Sequence, residues 1–259
     1  MLVFSIESSC DETSVCIMNN KKEIFSHIIY SQEIHKKHGG VVPELASRAH
    51  LEILQDITQK ALRGSGLKLE DINLFSATCG PGLIGGLLIG STFAKSLSIG
   101  AKKPFAPINH LEAHILSIFY NNKVCFPHLC LLITGGHTQI YLLENLNTIK
   151  LIGETIDDAV GEAFDKVAKI LGLPYPGGLE IEKKALEGDE KSFNLPEPLI
   201  KENNLNFSFS GLKTSINLIS KKNLIDDKFI KNISASFQKC VSSILMSKMN
   251  KAIKIQNDY

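Results

Sequence analysis

The sequence predicts an α/β protein of two lobes built on one plan. Three observations carry this. Strand-type and helix-type runs alternate along the whole chain. The opening Phe4-Ser-Ile-Glu-Ser-Ser-Cys-Asp-Glu-Thr-Ser-Val-Cys-Ile returns in outline at Leu132-Ile-Thr-Gly-Gly-His-Thr-Gln-Ile-Tyr-Leu. Each copy reads as a strand, a tight turn rich in Ser or Gly that ends in Thr, and a returning strand. A break at Asn121–Pro127 separates the two, so the lobes are drawn as residues 1–122 and 123–259.

In the first lobe, Leu2–Ser8, Ser14–Met18 and Glu23–Tyr30 are β-type runs separated by polar turns. Pro43 opens a helix whose apolar face is Ala46, Ala49, Ile53, Ile57 and Ala61, up to Gly64. Ile72–Thr78 is a buried-strand run, and Gly80-Pro-Gly turns it into a small-residue helix, Leu83–Ile99. Phe105–Asn109 is a brief strand, and His110–Tyr120 a helix. The second lobe repeats three strands, His128–Thr134, Thr138–Leu143 and Thr148–Glu154. Helical segments follow near Asp157–Leu171 and Glu180–Leu186, then the Phe207–Lys213 region and a last helix from about Asp226 to Ile255. By the duplication, a further strand, helix, strand and helix are expected next. The second lobe is therefore expected to be incomplete at Tyr259.

Composition narrows the function. Hydrophobic residues are 44% and charged residues 21%, a globular composition rather than a disordered one. Lys+Arg is 28 against Asp+Glu 27, so no global charge excess points to nucleic acid or membrane. Local pairs such as Lys36-Lys37 and Lys221-Lys222 are candidates for a local basic face, with solvated surface as the default reading of each. The cysteines Cys10, Cys16, Cys79, Cys125, Cys130 and Cys240 form no CxxC pair, so reduced thiols and a cytoplasmic protein are expected. The first ten residues lack a basic region before their apolar run and read as a strand, not an export signal. The longest uncharged stretch, Ile72–Ala94, is broken by Asn73 and the Cys79-Gly-Pro-Gly turn, so no membrane span is expected.

Five segments carry chemistry. His110-Leu-Glu-Ala-His114 places two imidazoles at i and i+4 on one helix face, able to reach one metal ion or to be a hydrogen-bonded pair. Glu112 is two positions from His110, about 200° around the helix, so it is misplaced for the base of an HExxH protease. Glu7–Thr13 sets Asp11 and Glu12 in a tight turn that can orient a metal or phosphate ligand, or be a polar hairpin. Thr134-Gly-Gly-His-Thr138 is its counterpart, with glycines that let a ligand approach and successive N–H groups for an anion nest. Cys79–Gly86 is either a close-packed glycine helix start or an anion site. Asp165 lies on an apolar helix, where it can meet substrate hydroxyls or pair with Lys166 or Lys169.

Taken in order, ESSCDETS, HGGVVPELASRAH, GPGLIGGLLIG, HLEAH, ITGGHT, GEAFDKVAKILGL, YPGG and FSFSGLKT resemble the tRNA adenosine threonylcarbamoyltransferase family over essentially all 259 residues. The resemblance implies duplicated lobes of the actin/Hsp70/sugar-kinase type. It implies an acyltransferase that moves a threonylcarbamoyl group from threonylcarbamoyl-AMP to the exocyclic amine of adenosine 37, in tRNAs reading codons that start with A. His110 and His114 match the family's metal ligands, one divalent ion per subunit, iron in the family and zinc also fitting. Ile133, Thr134, Gly135, Gly136 and His137 match its substrate-binding turn, and Asp165 and Gly178 two further substrate positions. Asp11 and Glu12 match its first phosphate-site acids and are the catalytic candidates. The implied partners are tRNA, an inactive paralogue subunit and a small ATPase of the bacterial complex, with no membrane.

The family continues past Tyr259, with a third metal ligand that no residue here matches. The 259-residue chain alone is therefore expected to bind metal poorly, to aggregate and to show little transferase activity. Three other readings are a non-catalytic paralogue that scaffolds the complex, which would lack the histidine pair, a metalloprotease, and a kinase of the same fold class.

Overall fold

Phe4 and Ile6 are buried on one side of the first strand, directly opposite the buried Ile17 and Val15 of the second. A sheet with one packed face imposes this period of two. The structure, a computed structural model, describes residues 1–257, except the side chains of Lys36 and Asn257. The candidate at Lys36 and the end of the chain at Tyr259 thus lie outside what is described. The chain divides into two compact units, Met1–Asn122 and the part from Lys123 onward.

Unit one is a five-stranded sheet with the order β3-β2-β1-β4-β5. Its strands are β1 (Leu2–Glu7), β2 (Glu12–Asn19), β3 (Ile24–Ser31), β4 (Leu74–Gly80) and β5 (Phe105–Asn109). β1, β2 and β3 form an antiparallel meander, while β4 and β5 join β1 in parallel. α1 (Pro43–Ser65) begins on Pro43 and stops at Gly66, whose φ of 69° suits glycine. Leu54, Ile57 and Ala61 of α1 and Ala94 of α2 (Ile84–Gly100) bury against Phe4, Phe75 and Ala77. Because β1, β4 and β5 run the same way, Glu7, Gly80 and Asn109 end at one edge of the sheet. Open parallel sheets place ligands outside this edge.

Two local expectations change. Glu12 is not in the turn; it is the first residue of β2. The helix from His110 is short: α3 spans His110–Leu116 and tightens into a 3-10 turn, Ser117–Phe119. Ser117 Oγ donates to the His114 carbonyl at 2.7 Å, a side-chain bond that competes with continuing the helix. Lys22 Nζ then reaches the Phe119 and Tyr120 carbonyls, closing the end of the segment.

Unit two opens on an antiparallel meander, β6 (His128–Ile133), β7 (Thr138–Asn145) and β8 (Thr148–Glu154). Four helices follow: α4 (Val160–Ile170), α5 (Gly177–Ala185), α6 (Ser210–Ser220) and α7 (Asp227–Asn257). α7 buries Ile233, Phe237, Val241, Ile244, Lys248 and Ala252, spaced three or four apart. Lys248 belongs in that stripe because its ammonium donates to the Leu199 and Asn204 carbonyls at 2.7 and 2.8 Å. Burial pushes its pKa down. The Phe207–Ser210 segment lies beside the end of β8 through a parallel bridge, Thr155 to Phe207. Asp157 locks it there, accepting from the Ser208 and Ser210 hydroxyls and from the Phe209 and Ser210 N–H groups. Burial raises the Asp157 pKa, but these donors outweigh it and hold the carboxylate below its ordinary range.

Among the described residues, no helix is long and apolar enough to cross a membrane. The six cysteines are free.

Candidate functional site

α3 starts where β5 ends because Asn109 caps it. The Asn109 side-chain oxygen accepts from the N–H groups of Leu111 and Glu112 at 2.9 and 3.1 Å. His110 is thereby the first helical residue, and His114 lies one turn on, over the same face. Their Nε2 atoms are 3.3 Å apart. On its other side, His110 Nδ1 lies 3.2 Å from Ser9 Oγ and 3.5 Å from Glu7 Oε1. Burial raises the Glu7 pKa, but hydrogen bonds from His110 and Ser9 more than reverse this, so Glu7 is ionised. An anion beside Nδ1 favours the proton there and leaves Nε2 as the lone-pair nitrogen. Partial desolvation, and then the neighbouring His110, push the His114 imidazole below its ordinary pKa, toward the neutral form a metal needs.

Ser8–Asp11, the turn that presents Ser9, is gripped by α2. Ser8 Oγ donates to the Gly86 carbonyl at 2.9 Å, and Leu83 N–H to the Ser9 carbonyl at 2.7 Å. A Cβ on Gly86 would sit 2.3 Å from the Ser8 carbonyl oxygen, and one on Gly90 2.1 Å from Ser8 Oγ. The Cys79–Gly86 segment is thus a close-packing device, the first of its two sequence readings. The Asp11 carbonyl accepts from Gln32 N–H, and the Glu12 carboxylate from the Ser31 hydroxyl at 2.8 Å. Glu12 is therefore tied across β2 and β3, whereas Glu7 and Ser9 face the histidine pair.

In unit two the counterpart turn follows Ile133, the exposed last residue of β6. Thr134 shapes it: its hydroxyl accepts from Gly136 N–H at 3.3 Å and His137 N–H at 3.0 Å, and its N–H donates to the His137 carbonyl. Two of the N–H groups expected to form an anion nest are thus turned inward on Thr134. Neither Gly135 nor Gly136 has any atom within 4 Å of the space a Cβ would fill, so that side of the turn is open. The start of α4 lies against it, and a Cβ on Gly161 would come 2.7 Å from Gly135 Cα. Asp165 does not pair with Lys166, which instead binds Asp158 and Glu162, each at 2.7 Å. Asp165 accepts from Gly177 N–H at 2.7 Å, at the start of α5. Burial raises its pKa. Gly178, next on α5, has open space where a Cβ would lie.

The two Nε2 atoms lie within hydrogen-bond distance of each other, as in the second reading of the pair, and the same spacing also fits one metal ion. Two nitrogens about 2.05 Å from one ion at the tetrahedral angle stand about 3.3 Å apart, the separation seen here. A two-imidazole donor set suits iron or zinc better than magnesium or calcium. No group of three or more His, Cys, Asp or Glu side chains is arranged to hold an ion among the described residues. Glu112 is on another face of α3, so the pair lacks an adjacent protease base.

A family model described as TsaD, tRNA N6-adenosine threonylcarbamoyltransferase, matches residues 23–258. The chain belongs to this family. Among curated members, the tRNA N6-adenosine threonylcarbamoyltransferase of Ehrlichia canis (strain Jake) is 50% identical over 253 residues, 97% of this chain and 72% of its own length. That of Rickettsia rickettsii (strain Sheila Smith) is 50% identical over 254 residues, 97% of this chain and 74% of its own. That of Wolbachia pipientis wMel is 47% identical over 251 residues, with shares of 97% and 75%. The matched range, residues 23–258, spans both units.

Sequence reading singled out Asp11 and Glu12 of the first turn but missed Glu7 and Ser9. The parallel pairing of β1, β4 and β5 brings the end of β1 beside the start of α3, and no pattern local to Glu7 or Ser9 encodes that pairing.

Proposed function

We propose that this chain transfers the threonylcarbamoyl group of threonylcarbamoyl-AMP to the exocyclic amine of adenosine 37 in tRNAs that read codons starting with A. In that reaction the amine nitrogen bonds to the carbamoyl carbon, the bond from that carbon to the phosphate oxygen breaks, AMP leaves and one amine proton is released. The observation that carries the reading is the 47–50% identity to curated transferases over 97% of the chain. The paired Nε2 atoms 3.3 Å apart support it further.

Within unit one, His110 and His114 hold one divalent ion, iron as in the family or zinc. Bound there, the ion supplies Lewis-acid polarisation of the carbonyl under attack. Glu7 and Ser9 keep His110 oriented for it; Asp11 and Glu12 match the family's phosphate-site acids, with Glu12 held on β2 by the Ser31 hydroxyl. Within unit two, the open face at Gly135 and Gly136 admits the adenylate, next to Ile133, Thr134 and His137. Asp165 and Gly178 meet substrate hydroxyls at the start of α5. The working assembly adds tRNA, an inactive paralogue and a small ATPase, in the cytoplasm.

Calorimetric titration with a non-hydrolysable threonylcarbamoyl-adenylate analogue tests the ligand turn. Gly136→Val adds bulk on the open side, where its Cβ has nothing of the protein within 4 Å. It is expected to weaken analogue binding at least tenfold and to shift the melting temperature by less than about 2 °C, as a surface substitution does. Equal affinity in the variant and the parent would remove the turn from the proposal.

A further inference from the structure

His50 is a fully buried polar residue on α1, in the HGGVVPELASRAH block that the site described so far does not use. Both of its ring nitrogens are engaged. Nε2 lies 3.0 Å from the Cys10 carbonyl oxygen and Nδ1 2.7 Å from Thr13 Oγ1. A carbonyl oxygen only accepts, so Nε2 carries the proton and Nδ1 accepts from the Thr13 hydroxyl. Thr13 is itself completely buried on β2. The ring is therefore a two-ended strut from α1 to the Ser8–Asp11 turn and the strand after it. α2 closes on the same strut, since a Cβ on Gly86 would come 3.0 Å from the His50 ring.

The neighbours of Cys10 in that turn are what His110 meets: Ser9 Oγ at 3.2 Å, and Glu7 Oε1 at 3.5 Å just before it. We propose that His50 is a positioning residue for the histidine pair. By fixing the Cys10 carbonyl it holds Ser9 and Glu7 against His110 Nδ1, so that the His110 proton stays on Nδ1 and Nε2 faces the His114 side. The proposal rests on the reading of His110 and His114 as a metal-holding pair, but its first consequence, the tautomer of His110, is present without metal. A histidine that merely fills the core would leave that tautomer unchanged when replaced by an apolar ring.

The test is long-range proton–nitrogen NMR of the metal-free chain labelled with 15N-histidine, together with zinc affinity by competition with a chromophoric chelator. In the parent, His50 is expected as the Nε2–H form and His110 as the Nδ1–H form. In His50→Phe, His110 is expected to shift toward the Nε2–H form that free imidazole prefers, and zinc affinity to fall about 10- to 100-fold, as loss of an outer-shell partner does. His50→Gln, whose amide can donate to the Cys10 carbonyl, is expected to restore both. Should His50→Phe fail to fold, the parent still decides: His110 found as Nε2–H, or His50 as Nδ1–H, overturns the proposal. So does a folded His50→Phe with parental tautomer and parental affinity. A tautomer shift in a chain that binds no zinc at all supports the positioning role and counts instead against the metal reading.

Discussion

The double variant His110→Ala/His114→Ala is expected to lose its bound metal completely, to the background of elemental analysis. The two Nε2 atoms are 3.3 Å apart, and no group of three or more ligating side chains stands among the described residues, so the pair is the expected donor set. The loss should exceed the ~100-fold that removal of an outer-shell partner costs. The fold should scarcely register the change. His114 is exposed, and His110 contributes one bond to Ser9 and a longer contact to Glu7. Unfolding in denaturant should move by about 1 kcal/mol or less, about 0.5 kcal/mol for each of two surface substitutions. Parental metal content in a folded double variant would show that the ion sits elsewhere.

Gly86→Val is expected to do the opposite, damaging the fold of unit one. Its Cβ would sit 2.3 Å from the Ser8 carbonyl oxygen and 3.0 Å from the His50 ring. One neighbour is backbone and the other is a buried ring bonded at both ends, so neither can move aside. Overpacking of this kind costs about 3 kcal/mol or more where relief is blocked. For a unit of this size that lowers the melting temperature by about 10 °C or more. Thermal unfolding followed by circular dichroism reads it directly. A melting temperature within about 2 °C of the parent would mean that α2 does not clamp the turn as described.

Much of this was legible from residue order alone. The alternation of Phe4, Ile6, Val15 and Ile17 marks half-buried strands, and the spacing of Ala46, Ile57 and Ala61 marks a helix face, although the structure fully buries His50 and Leu54 where the sequence pointed to Ala49 and Ile53. The histidine pair was legible because i and i+4 always share a face. What resisted reading depended on contacts between residues distant in sequence. The end of α3 is set by Ser117 turning onto the His114 carbonyl and by Lys22, about a hundred residues earlier, reaching Phe119 and Tyr120. Pairing with Lys166 was one of the readings open for Asp165, but Asp158 and Glu162 take that lysine. Glu7 and His50 gain their meaning from the parallel placement of β1, β4 and β5 and from the approach of α2. No local pattern encodes either.

The most direct test of the account is mass-spectrometric nucleoside analysis of tRNA from cells depleted of their own transferase and expressing the gene that encodes this chain. Threonylcarbamoyladenosine is expected to rise above background with the parental gene, in keeping with little transferase activity, and to stay at background with the His110→Ala/His114→Ala version at equal protein level. Absence of the modified nucleoside with the parental gene, or its full return with the double variant, would contradict the account.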